Sequence, residues 1–208
     1  MRTPPTPLAQ ILPVGSAALD EARALARRAA TGDAEATTRL LRAVGPSIAR
    51  VVRRVLGPAH PDVDDATQQA LIGFVHALPA YRGDCEPAGY ATTIAVRTSL
   101  ALRRRAREEA VRRGETDADV LSSPDASPSD DAMAEQRRES LRLLLTEIPA
   151  EQAEALAMRI VLGWSLEEIA LHAQVPANTV RSRIRLAKEA LRRRIASCPA
   201  LAAALGPA

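Results

Sequence analysis

Apolar residues recur at helical intervals along most of the chain, and the breaks between these runs mark where helices must stop. From Ala17 to about Leu56 two helical stretches are separated by "TGDAE", and Leu40, Leu41, Val44, Ile48, Val51, Val52 and Val55 line one face of the second. Gly57, Pro58 and Pro61 then interrupt the pattern. The next run, "DVDDATQQALIGFVHAL", sets Val63, Ala66, Ala70, Leu71, Phe74 and Leu78 on a buried stripe and leaves Asp65, Gln68, Gln69 and Ile72 on another face. A loop, "PAYRGDCEP", leads into "AGYATTIAVRTSLALRRRAREEAVRR", a long helix whose later turns become densely basic.

Between Gly114 and Asp131, Pro, Ser and Asp replace apolar periodicity, which predicts a flexible acidic linker. As a coil its ends would average about 24 Å apart, from ~5–6 Å times the square root of roughly 18 residues, so two domains are expected to move independently. The second domain opens with the helix "AMAEQRRESLRLLLTEI" and continues through "AEQAEALAMRIVLG", with Ala153, Leu156, Ala157 and Ile160 at helical spacing. Ser165 and Glu168 then have capping-box spacing, so a short helix starts there, faced by Leu166, Ile169 and Ala170, and runs to about Ala173. After "QVP" a final helix carries the stripe Val180, Ile184, Ala187, Leu191 and Ile195. Helix, short turn, helix is the arrangement in which the second helix presents its early residues to the major groove.

These elements predict an all-α chain of two small helical domains. Residues 1–16 form a poorly ordered Pro-rich extension, 17–113 the first domain, 114–131 the linker, 132–196 the helix-turn-helix domain and 197–208 an Ala-rich tail. Composition agrees: an aromatic content of 2% leaves the cores to Ala, Leu, Val and Ile, which suits close-packed helices better than a β sandwich. The net charge of +3 hides an uneven distribution. Seven arginines and two acids occupy residues 97–113, seven acids and no base follow over 115–135, and seven Lys/Arg face one acid between Ala177 and Arg194. Basic surfaces of this kind fit phosphate.

Catalytic chemistry finds no foothold in the pattern. No nucleophile and base, paired carboxylates or phosphate loop stand at a usable spacing, and no cofactor is expected. Cys85 and Cys198 read as free thiols, and His60, His76 and His172 as solvent or packing residues, so no metal site is predicted. With neither a leader pattern nor ~20 consecutive apolar residues, the chain is expected to be cytoplasmic, without membrane insertion.

The series of motifs resembles the extracytoplasmic-function (ECF) sigma factors of bacterial RNA polymerase over residues 17 to 196. "RRAATGDAEATTRLL" resembles the family's opening helices and "VDDATQQALIGFVHALPAYRG" its polymerase-docking helix. "IPAEQAEALAMRIVLGWSLEEIALHAQVPANTVRSRIRLAKEAL" is similar to its C-terminal domain almost position by position. The resemblance implies a non-enzymatic subunit that binds core polymerase through its clamp helices and flap, selects promoter DNA and helps open it, and it leaves room for an anti-sigma protein. It implies that Asp65, Gln68, Gln69 and Ile72 face the polymerase clamp. It also implies that Tyr90, Arg97, Arg103, Arg104, Arg105 and Arg107 serve promoter melting and the downstream element.

In the last helix, Arg181, Ser182 and Arg185 lie outward and are candidates for base edges, arginine being the natural bidentate partner of guanine. Asn178, Thr179, Arg183 and Lys188 are better placed for phosphates. The chain departs from the family's usual pattern with Tyr90 in place of Trp, Arg97 in place of Asn, and Leu186 where Arg is common. Its loop toward the flipped promoter base is Cys85, Glu86, Pro87. The rival reading is a helix-turn-helix regulator that binds a palindrome without polymerase and uses its first domain to dimerise.

Overall fold

The computed structural model describes residues 16–114 and 130–198, together with Ala202. Helices α1 (Ser16–Ala30), α2 (Ala34–Leu56), α3 (Val63–Ala77) and α4 (Pro87–Arg112) build the first domain. Helices α5 (Asp130–Glu147), α6 (Ala150–Ala157), α7 (Leu166–Ala173) and α8 (Ala177–Ser197) build the second. Among the described residues every regular element is helical, and none is long and apolar enough to cross a membrane. The expected linker, apart from Gly114 and the start of α5, lies outside the described residues, as do positions 1–15 of the expected N-terminal extension and most of the tail.

Local chemistry sets the helix ends. Asp33 caps α2 by accepting from the Ala36 amide at 2.9 Å and from Arg28. The amide first, and then the guanidinium, hold its carboxyl below the ordinary value. At the far end of α2 the chain turns through Gly57 at φ 102°, where a Cβ would stand 3.1 Å from the Arg142 guanidinium of the second domain. In α3 the stripe Val63, Ala66, Ala70 and Phe74 is buried as the spacing requires, with Leu71 half-buried beside it. Between α3 and α4 the Tyr81 hydroxyl donates to the Cys85 carbonyl and closes the loop. Burial pushes the Tyr81 phenol up to about 12 and the Cys85 thiol up to about 11, so Cys85 stays a protonated thiol at neutral pH.

In the second domain Ser165 and Glu168 form the expected box: the Glu168 amide donates to Ser165 Oγ at 3.1 Å, and the Ser165 amide to Glu168 Oε2 at 2.7 Å. One expectation fails just upstream. Ile160 is 66% exposed, whereas Met158 and Leu162 are buried, because the chain leaves α6 through a π turn over Met158–Leu162. The wider turn takes an extra residue and rotates the apolar stripe away from Ile160.

The two domains do not stand apart. A continuous buried cluster runs from Leu25 of α1 to Ala187 of α8, and α4 packs against α5, α6 and α7. Independent domains are therefore not what this conformation contains. The side-chain hydrogen bonds that join them fall largely on residues expected to serve DNA.

Candidate nucleic-acid interface

The C-terminal pair α7 and α8 is joined by a tight turn in which Gln174 adopts φ 55° and Val175 returns its amide to the Ala170 carbonyl at 3.1 Å. Val180, Ile184 and Ala187 are buried, which fixes the rotation of α8. Asn178, Arg181, Ser182, Arg185 and Lys188 are consequently exposed, with Thr179 and Arg183 half-buried at the flank. Arg181 donates to Asn178 Oδ1 at 2.6 Å, and Arg185 to Glu189 Oε1 at 2.8 Å. Exposed pairs of this kind contribute only about 0.3–0.5 kcal/mol, so they orient the guanidinium groups and yield easily to a base edge. Two neighbours complete the ridge. Leu186 is 39% exposed beside Arg185, and Glu189 holds that arginine. The spacing already put both off the buried stripe, and an apolar residue there was the available signal.

On α3, Asp65, Gln68, Gln69 and Ile72 are all exposed and share one strip, along which Gln69 donates to Asp65 Oδ2 at 2.6 Å. The opposite face is the core stripe, so the strip is presented rigidly. Its apolar member, Ile72, is 47% exposed.

Helix α4 departs most from expectation. Tyr90 is half-buried, its ring 5.4 Å from that of Tyr81 and 6.3 Å from that of Phe74, and its hydroxyl donates to the Ala77 carbonyl at 3.4 Å. Of the basic residues named, Arg97 and Arg105 are exposed, and Arg97, Arg103, Arg104 and Arg107 reach acceptors on the second domain. Arg97 donates to Glu154 at 2.9 Å and Arg107 to Glu147 at 2.8 Å. Arg104 reaches the Ile148 carbonyl at 3.2 Å and approaches that of Thr146 at 3.5 Å. Arg103 is only 5% exposed and donates to the Leu56 carbonyl at 2.7 Å and to Glu139. It falls on the same stripe as Val96, Ser99 and Leu100, all buried, so its stem packs inward and its charge must find acceptors there. In this conformation Arg103 is a buried strut and not part of an open basic surface.

Comparison with known proteins places the chain in a family. Residues 40–109 match the sigma-70 region 2 family model, and residues 138–191 match sigma-70 region 4. The ECF RNA polymerase sigma factor ShbA of Streptomyces griseus is 30% identical over 152 residues, which cover 70% of this chain and 80% of that protein. This chain belongs to the ECF sigma factors. The ECF RNA polymerase sigma-E factor of Escherichia coli K12 is 28% identical over 181 residues, 80% of this chain and 90% of that one. Among solved structures, CnrH in complex with the cytosolic domain of CnrY superposes with a TM-score of 0.50 at 21% identity. That likeness covers 86% of this chain and 99% of CnrH, and it is one of fold.

One further contact of this sigma factor joins its domains. His172 of α7 stacks on Trp164 with ring centroids 4.2 Å apart, and its imidazole lies against Gly89 in the first turn of α4. A Cβ at Gly89 would stand 2.8 Å from His172 Nε2, so a glycine is required for this approach. Burial holds His172 below its ordinary 6.5, against a smaller opposing pull from Glu168. Arg50 of α2 and Glu86 before α4 line the same cleft. His60 is shifted the same way, by burial and then by Arg103, with Asp62 and Glu139 opposing.

A histidine depressed in the docked state takes up its proton more readily when released. Docking is therefore at full strength above pH 6.5 and weakens as the pH falls below it. Below that value the proton goes to His172 and His60, the two histidines that burial in this conformation holds low. The radius of gyration by small-angle scattering should rise as the pH falls below 6.5, and His172→Phe should reduce that rise, leaving the share carried by His60.

Proposed function

We propose that this sigma factor docks on core RNA polymerase through the α3 strip of Asp65, Gln68, Gln69 and Ile72, and reads the upstream promoter element with Arg181, Ser182 and Arg185 of α8. Asn178, Thr179, Arg183 and Lys188 hold phosphates that set the register. Arg97, Arg104, Arg105 and Arg107 of α4 meet the strand near the melted element once the domains separate. Tyr90 supports the start of that helix from within the core. The observation that carries the reading is one chain holding, in family order, a rigid exposed polar strip and a helix-turn-helix whose outward ridge is arginine-rich. It works in the cytoplasm with polymerase and promoter DNA as partners, open to sequestration by an anti-sigma protein, and performs no catalysis itself.

The test is reconstituted transcription: core polymerase with and without this protein on genomic DNA, followed by mapping of RNA starts. New starts that depend on the protein are expected. Asp65→Ala with Gln68→Ala should weaken association with core, while unfolding stability stays within about ±0.5 kcal/mol, as for exposed substitutions. Undiminished core binding by that double variant would remove the strip from the reading.

A further inference from the structure

We propose that the groove between α2 and α5 is a binding site for a soluble polyphosphate, a chain of two or more phosphates held by guanidinium groups from both helices. Arg50, Arg53 and Arg54 line it from α2, and Arg138 and Arg142 from α5, against one carboxylate, Glu135. None of these residues belongs to the α3 strip, the basic run of α4 or the outward ridge of α8. The rest of the wall is Pro46, Ala49 and Pro58, whose side chains bring no hydrogen-bonding group. A ligand here must therefore be anionic and rich in acceptors, which excludes a metal ion or a neutral sugar. The groove has a volume of about 650 Å³, within the ~300–1,000 Å³ of small-molecule sites.

Internal pairing leaves much of that charge unmet. Glu135 is shared, accepting from Arg138 at 2.8 Å and from Arg142 at 2.7 Å, and Arg142 turns also to Glu139 at 3.2 Å. Arg54 donates to the Val161 carbonyl at 3.0 Å. Among the described residues, Arg50 and Arg53 meet no acceptor. They stand three residues apart on one face of α2, as Arg138 and Arg142 stand four apart on one face of α5, so each helix presents neighbouring basic side chains roughly 5–6 Å apart at Cβ. Arg142 is also fixed in place: its side chain is 11% exposed and lies 3.1 Å from where a Cβ on Gly57 would stand. Guanidinium groups grip phosphate oxygens in pairs, and successive phosphates along one chain engage both helices at once, which a single phosphate does not. Glu135 is the internal competitor. Arg142 chiefly, with Arg138 and against burial, holds its carboxyl below the ordinary value, so it stays ionised at neutral pH. Because α2 forms one wall and α5 the other, occupancy favours the conformation that holds both.

The test is calorimetric titration of the full chain at low ionic strength, without magnesium, which would take the phosphate oxygens itself. The probes are inorganic tripolyphosphate, adenosine triphosphate, orthophosphate and a short DNA duplex. Tripolyphosphate should bind at one site per chain, with affinity well above that of orthophosphate. Tighter binding of the nucleotide would assign the site to a nucleotide whose base rests on the Pro46 and Pro58 wall, and equal or weaker binding would assign it to polyphosphate as such. Arg50→Ala with Arg53→Ala should weaken tripolyphosphate binding by about tenfold or more, since hydrogen bonds between charged partners exceed ordinary ones. Glu135→Gln should tighten it severalfold, because the change removes the competing charge and keeps the shape.

Arg192→Ala with Arg193→Ala removes the same charge from exposed positions late in α8 and should change the affinity little. An equal loss in that control would reduce the binding to diffuse attraction and overturn the site. So would the absence of tripolyphosphate binding, orthophosphate binding as tightly as tripolyphosphate, or a Glu135→Gln chain no tighter than the parent. A duplex that binds more tightly than tripolyphosphate, and loses that affinity with Arg50 and Arg53, would make the groove a nucleic-acid surface and overturn the small ligand.

Discussion

A chain carrying Phe74→Ala is expected to lose about 3–5 kcal/mol of stability, the range for removing a buried phenylalanine. Phe74 has no exposed surface and is the chain's one phenylalanine. The buried positions of α3 and of α4, which packs on it, include Ala66, Ala70, Ala91 and Ala95, which have no rotamers with which to swing into a cavity. The hole therefore stays open, and the cost should fall at the upper end of the range. Against a total of about 5–15 kcal/mol for a domain, that is a large share. Ile72→Ala, two residues away and 47% exposed, should change stability by about 0.5 kcal/mol or less. Urea unfolding of the two variants side by side measures the contrast. A cost for Phe74→Ala no larger than that for Ile72→Ala would mean the first domain is not packed around this ring.

The same contrast explains which parts of the molecule were legible in advance. Core stripes such as Val63, Ala66, Ala70 and Phe74 are local facts, set by helical periodicity and recoverable from spacing alone. So is the Ser165 and Glu168 box, because both partners lie within one turn. Ile160 was misassigned because a π turn leaves no apolar signature, and one extra residue rotates the stripe that follows. The seam between domains was illegible for a different reason. Glu139, Glu147 and Glu154 look like the solvated faces of ordinary amphipathic helices, and their partners lie between 36 and 57 residues away. One clue was present: Arg103 continues the stripe of Val96, Ser99 and Leu100, and an arginine on a buried stripe demands an acceptor from elsewhere. The spacing of Arg181, Ser182 and Arg185 away from Val180 was enough to put them outward, since the whole rotation of α8 follows from its buried face.

That rotation carries the second large expected effect, on promoter choice. An arginine paired bidentately with guanine discriminates against another base by about 1–3 kcal/mol, so Arg181→Ala and Arg185→Ala should each relax preference at one or two base pairs of the upstream element by roughly ten- to a hundredfold. Asn178 and Glu189 hold the two side chains at 2.6 and 2.8 Å, which limits their freedom before DNA arrives. Glu189→Ala should therefore lower discrimination less than Arg185→Ala does, and in the same positions. Leu186 projects beside Arg185 and offers an apolar contact of the kind a thymine methyl accepts, so Leu186→Ala should weaken a preference for thymine next to the Arg185 position. Lys188→Ala should instead weaken all sequences alike and reduce the salt dependence by about one counterion. Binding of promoter variants by the holoenzyme at several salt concentrations separates these outcomes. Uniform losses for both arginine variants, with base preference intact, would make the ridge an electrostatic clamp, and sequence reading would then have to come from other outward positions of α8, such as Asn178, Ser182 and Leu186.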